Sequence, residues 1–263
     1  PNHNDWHSTV CVEKTVRKVK IVTDEEEGMK KTIQRVLAAV ILFAMILSGG
    51  FSEVGKVHAE KQQGTTKRAI YVVFDNSGSM YGDGNKAWSQ ATYAMEVFAA
   101  MMNYESGDVM KVFPMHDITT DGNTGSATKS SMEIRGKDDI AQIHNMYTPK
   151  PGGTPYTQVN NAAGELTKLL NAGSVDEGWL VVLTDGDFDN DIPASGLKAD
   201  LEGKAAANEN LYVQYLAIGT DVKNIPEGNA DKGLYAQKAG NTSEVVNELA
   251  EISNRIFKRN EYA

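Results

Sequence analysis

Two short runs, Tyr71-Val72-Val73-Phe74 and Leu180-Val181-Val182-Leu183, are apolar at every position. A strand with one wet face alternates apolar and polar side chains, so an uninterrupted apolar strand calls for cover on both faces. That cover is typical of mainly parallel sheets flanked by helices. The rest of the folded region supplies the alternation such a design needs. Strand patterns fall at 69–74, 109–113, 132–135, 179–184, 212–218 and 234–237, with helical patterns at 86–103, 138–146, 155–171, 196–208 and 242–257 between and after them. In the last helix Val245, Leu249, Ile252 and Ile256 share one face, with Asn241 placed to cap it and Glu244 in its first turn. In the first helix Trp88, Tyr93, Met95, Phe98 and Met102 read as packing residues.

The stretch before residue 60 does not join this pattern. Met29, Lys30, Lys31 and Arg35 precede an uninterrupted apolar run at 36–47, and Val57-His58-Ala59 follows. This is the charged, apolar and cleavage order of a secretory signal, and the run is shorter than the roughly 20 residues of a spanning helix. Residues 1–28 begin with Pro and end in Asp24-Glu25-Glu26-Glu27-Gly28, which purine-rich codons of a bacterial ribosome-binding sequence would give if translated. The expected organisation is therefore an upstream extension foreign to the native protein at 1–28, a signal peptide at 29–59 and a linker at 60–67. A folded domain at 68–258 and a tail at 259–263 complete it, in a protein secreted to, or held on, the surface of a bacterium. Amino-terminal sequencing of the exported protein should give Glu60 as the first residue; an intact Pro1 would overturn this reading.

Composition narrows the function. The formal charge is −9, and residues 60–263 carry 28 acidic against 18 basic side chains, a charge of −10. Without a basic stripe, this argues against binding to a nucleic-acid backbone. Cys11 is the only cysteine, so an intramolecular disulfide and a cysteine metal site are excluded.

The chemistry gathers where strands end. The first apolar strand runs into Asp75-Asn76-Ser77-Gly78-Ser79, the second into Thr184-Asp185-Gly186, and Pro151-Gly152-Gly153-Thr154-Pro155 lies just before a helix. Each has a bland reading: a polar turn, a strand ending, or Thr154 capping a helix with Pro155 at its first position. Their order and placement together favour a site. In a doubly wound sheet the ligand crevice opens between the two central strands, which sets Asp75 and Asp185 across it from each other. Carboxylates and hydroxyls are the hard oxygen donors a small divalent cation prefers.

In these residues the chain resembles the von Willebrand factor A domain with its metal-ion-dependent adhesion site. The family pattern Asp-x-Ser-x-Ser matches Asp75, Ser77 and Ser79, its loop threonine Thr154 and its later aspartate Asp185, over roughly 68–257. The resemblance implies an α/β, Rossmann-like, doubly wound, mainly parallel six-stranded sheet in the order 3-2-1-4-5-6, with the short third strand antiparallel. It implies that Ser77 and Ser79 bind Mg²⁺ directly, with Mn²⁺ or Ca²⁺ as possible substitutes. Thr154 would bind directly or through water, and Asp75 and Asp185 mainly through waters. A partner protein's acidic side chain would complete the coordination, so the function implied is binding without catalysis, by a monomer with no membrane span in the mature chain. Axial movement of the last helix would be coupled to the site.

Other readings stay open at this point. Asp187, Asp189 and Asp191 beside Asp185 could hold a second cation, although the loop lacks the central Gly and distant Glu of a calcium loop, so a solvated acidic loop is the simpler view. His116 reads as loop or rim. The chain also resembles haloacid dehalogenase-type Mg²⁺-dependent phosphatases, with Asp75 as nucleophile and the run 186–191 as the late metal motif. That family needs an acid two residues after the nucleophile, where this chain has Ser77. A structural assembly subunit whose metal only stiffens the sheet is the third possibility.

Overall fold

A computed structural model describes residues 66–257 except 124, 150, 151, 187, 190, 191 and 220–224, and the side chains of 83–85 are likewise left aside. The upstream extension, the signal, nearly all of the linker and the tail lie outside the described residues.

Six strands form one sheet: β1 (Arg68–Phe74), β2 (Val109–Pro114), β3 (Met132–Ile134), β4 (Glu177–Thr184), β5 (Leu211–Ile218) and β6 (Leu234–Ala239). Their order is β3-β2-β1-β4-β5-β6; β3 is antiparallel to β2 and every other pairing is parallel. Five helices connect or follow them: α1 (Gly82–Met101), α2 (Ile140–His144), α3 (Thr157–Asn171), α4 (Leu197–Ala205) and α5 (Thr242–Phe257). Among the described residues no helix is long and apolar enough to cross a membrane.

The apolar strands explain the two layers of helices. In β1, Ile70, Val72 and Phe74 point into one core with Met95 and Phe98 of α1 and Leu249 and Ile252 of α5. Ala69, Tyr71 and Val73 point the other way, into a second core with Val159 and Leu166 of α3 and Leu201 of α4. Because successive side chains of a strand face opposite sides, a strand serving two cores has no polar position to spare. The same holds for β4, which is buried along its whole length.

At the start of α5, Glu244 N donates to Asn241 Oδ1 at 3.1 Å, while the Glu244 carboxylate accepts from Asn241 Nδ2 and Gly240 N, both at 2.6 Å. This reciprocal pairing satisfies amides at the helix start that would otherwise lack partners. The far end of α5 is pinned by side chains. Arg255 lies over the Tyr235 ring at 4.4 Å and donates to Oε1 of the fully buried Gln214 at 2.7 Å. The Arg68 guanidinium, at the start of β1, lies 6.0 Å from the ring centre of Phe257, the last residue of α5.

Several boundaries differ from the sequence reading. α1 begins at Gly82, four residues before the expected start, because a 3₁₀ turn at Gly78–Tyr81 leads the chain into the helix through Gly and Asn positions that read as breakers. The expected helix at 138–146 is a 3₁₀ turn at Lys137–Asp139 followed by the short α2. Tyr93, assigned to packing, is 47% exposed on the outer side of α1.

Candidate functional site

β1 and β4 are neighbours in register up to Phe74 and Leu183, so Asp75 leaves β1 beside Thr184, the last residue of β4. Asp75 N continues the ladder by donating to Leu183 O at 2.9 Å. The Asp75 side chain is fully buried, and both its oxygens are in use: Oδ1 accepts from Ser77 N at 2.9 Å and Oδ2 from Thr184 Oγ1 at 2.6 Å. The first of these bonds turns the chain sharply and fixes the loop that carries the two serines. Beyond it, Ser77 Oγ and Ser79 Oγ lie 3.0 Å apart, and Ser79 Oγ donates to Asp185 Oδ1 at 2.9 Å. Asp75, Ser77, Ser79 and Asp185 are therefore brought together in one hydrogen-bonded chain. It runs from the buried Asp75 carboxylate through the exposed Ser79 hydroxyl to the half-buried Asp185 carboxylate.

Asn76 anchors the loop from below. It is fully buried; its Nδ2 donates to His116 O at 2.7 Å and to Thr148 Oγ1 at 2.8 Å, and its Oδ1 accepts from His116 N at 2.8 Å. His116 lies in a loop and is partly exposed, as expected, and it also reaches across to the next loop. Its Nε2 lies 2.5 Å from Gly153 O, a pairing in which the ring nitrogen must carry the proton because a carbonyl only accepts.

Thr154 sits in the next loop, buried, and is placed through its backbone. Its N donates to Asp189 Oδ2 and its O accepts from Asp189 N at 3.1 Å. The loop meets the serine loop where Gly78 N donates to Gly152 O at 3.1 Å. Thr154 does not cap α3, which starts at Thr157 after Tyr156. The bland reading of this threonine is thereby removed. Asp189 is exposed, as the solvated-loop reading expects, and in addition pairs with Thr154; Asp187 and Asp191 lie outside the described residues.

Electrostatically the site is one-sided. Burial, and then the nearby Asp75 carboxylate, push Asp185 up to about 6, while the Ser79 hydrogen bond pulls the other way. Among the described residues neither carboxylate forms an ion pair with Lys, Arg or His, and no group of three or more His, Cys, Asp and Glu side chains gathers as a metal cluster. The donors here are two carboxylates and hydroxyls. As a nucleophile Asp75 is badly placed: it has no exposed surface, and each oxygen already accepts a hydrogen bond.

What sequence reasoning missed are the supports, namely Asn76, Asp189 and His116. Only their distant partners reveal them.

No protein-family model matches the chain, and no curated protein matches it by sequence. Solved structures do match. The pilus adhesin SpaC from Lactobacillus rhamnosus GG is 17% identical, over 75% of this chain and 31% of its own, with a TM-score of 0.51. Proximal thread matrix protein 1 from the mussel byssus, in a structure with a zinc-occupied MIDAS motif, is 14% identical over 73% of this chain and 48% of its own, with a TM-score of 0.50. The fold is of the von Willebrand factor A type. Identities this low speak to architecture alone, and this chain spans half or less of those two proteins. In the A-type fold the sheet order places the crossover point between β1 and β4, which is where Asp75 and Asp185 stand.

Proposed function

We propose that Asp75, Ser77, Ser79, Thr154 and Asp185 hold a Mg²⁺ ion through which the protein captures a partner protein's acidic side chain. The observation that carries this is the run of oxygens Ser77 Oγ, Ser79 Oγ and Asp185 Oδ1, spaced 3.0 and 2.9 Å apart. Adjacent oxygens around an octahedral Mg²⁺ at 2.0–2.1 Å stand about 2.9 Å apart, so the spacing suits that cation. The donor set also suits it: two carboxylates with, among the described residues, no cationic side chain paired to them, and at Asp185 burial already disfavours the charge. Mn²⁺ or Ca²⁺ are substitutes the same oxygens would accept.

Each residue then has a task. Asp75 holds the turn through Ser77 N and keeps the Thr184 hydroxyl engaged, so that its charge lies beneath the serine loop. Ser77 and Ser79 offer neutral oxygens, and Ser79, exposed, stands at the surface where a partner arrives. With few charged donors around it, a bound cation supplies positive charge that an incoming carboxylate can neutralise. This is binding chemistry. The expected setting, a secreted or surface protein of a bacterium, draws on the signal-like segment at 29–59.

Calorimetric titration with Mg²⁺ should show saturable uptake at one site. A pull-down from a bacterial surface proteome should retain a partner in Mg²⁺ and release it in chelator. No uptake by folded protein overturns the proposal. A partner that stays bound in chelator, with the fold intact, assigns the cation a purely structural role.

A further inference from the structure

The loop that carries Thr154 is held chiefly by the segment following β4, the segment that also bears Asp185. Thr154 and Asp189 exchange two hydrogen bonds, one backbone to side chain and one backbone to backbone. Gly153 leaves the room for this: a Cβ there would overlap Asp189 Oδ2, so any side chain would drive that carboxylate away. Two residues beyond Thr154, Tyr156 is fully buried. Its ring meets Phe188 edge-on at 4.8 Å, and its hydroxyl donates to Asp200 Oδ2 at 2.6 Å. Asp200 is in turn paired with Lys204 at 2.7 Å, one turn along α4. On the opposite side, among the described residues, the loop is tied by Gly78 N to Gly152 O and by the His116 ring to Gly153 O.

The geometry points to Asp189 as a positioning residue for the cation site, one that fixes the backbone of Thr154 relative to Asp185. The assignment rests on the reading of the site given above. A charged acceptor on a backbone amide makes a stronger and more directional bond than a neutral one, which suits a group whose task is to hold a threonine in place. Thr154 and Asp185 then behave as one half of the site, carried by β4 and the segment after it. Asp75, Ser77 and Ser79 form the other half, carried by β1.

The test is Mg²⁺ calorimetry on the wild type, Asp189→Ala, Asp189→Asn and Gly153→Ala, with thermal melts and exchange of the Thr154 amide measured on each. Asp189→Ala and Gly153→Ala, which lose the same bond by different routes, should bind Mg²⁺ roughly 10- to 100-fold more weakly, as removal of an outer supporting group commonly does. Asp189→Asn keeps an oxygen that accepts from Thr154 N, and should stay within about threefold of the wild type. The Thr154 amide should exchange faster in the first two variants and as in the wild type in the third. Equal Mg²⁺ affinity in the wild type and Asp189→Ala overturns this inference alone, and so does Asp189→Asn binding as weakly as Asp189→Ala. A wild type that takes up no Mg²⁺ overturns the reading of the site and this inference with it.

Discussion

Asp75→Ala should lose all calorimetric response to Mg²⁺ while remaining folded. The substitution removes one of the site's two carboxylates, and it leaves Ser77 N and Thr184 Oγ1 without their acceptor. Each unsatisfied buried group costs about 1–3 kcal/mol, offset in part by the repulsion that Asp185 no longer feels. A net loss of about 2 kcal/mol corresponds to a fall in Tm of roughly 4–8 °C for a domain of this size. Asp75→Asn separates the two effects. It keeps an oxygen acceptor at the same place, so the melt should move by less than in the alanine variant, while uptake still fails for want of charge. A variant that binds Mg²⁺ as the wild type does would remove Asp75 from the site altogether.

The residue just before it should behave in the opposite way. Phe74 is fully buried, and its ring packs edge-on against Trp88 at 5.0 Å. Truncation to alanine opens a cavity beneath the serine loop that the surrounding strands can close only partly, and such changes cost about 3–5 kcal/mol. Against a typical stability of about 5–15 kcal/mol this is a large fraction of the whole. Urea denaturation should show a lower midpoint with the slope unchanged. The folded fraction should still take up Mg²⁺, because the backbone of Phe74, whose oxygen accepts from Met115 N at 3.0 Å, stays in the ladder. A midpoint close to that of the wild type would mean that the site end of the first core repacks far more freely than its burial suggests.

The two variants mark how much could be read from residue order. The apolar runs at 71–74 and 180–183 sufficed to predict a sheet covered on both faces, because a strand without polar positions has few other places to lie. The edge strand β3 was also legible, as were the cap at Asn241 and the inward face of α5, since each depends on neighbours within a few positions. Asp75, Ser77, Ser79 and Asp185, proposed here as cation ligands, lie in one hydrogen-bonded run at the strand ends. The start of α1 was not legible, because a helix opening through Gly82 and Asn85 follows from the turn before it and not from propensity. Nor were the roles of Asn76, His116 and Asp189. Their partners lie 40, 37 and 35 positions away, a separation over which no local pattern operates.

The meeting of Arg68 with Phe257 has a mechanical consequence. It places both flanks of the domain at one end of the sheet, while the serines and Asp185 stand at the other. Tension drawn through those flanks would load the last turn of α5 first, where the Arg68–Phe257 contact and the Arg255–Gln214 hydrogen bond share the strain. β1, gripped by a neighbour along each edge, would give way only later. A load applied at the serine end would thus pass into a strand paired along both its edges, with the helix end as the part that yields behind it.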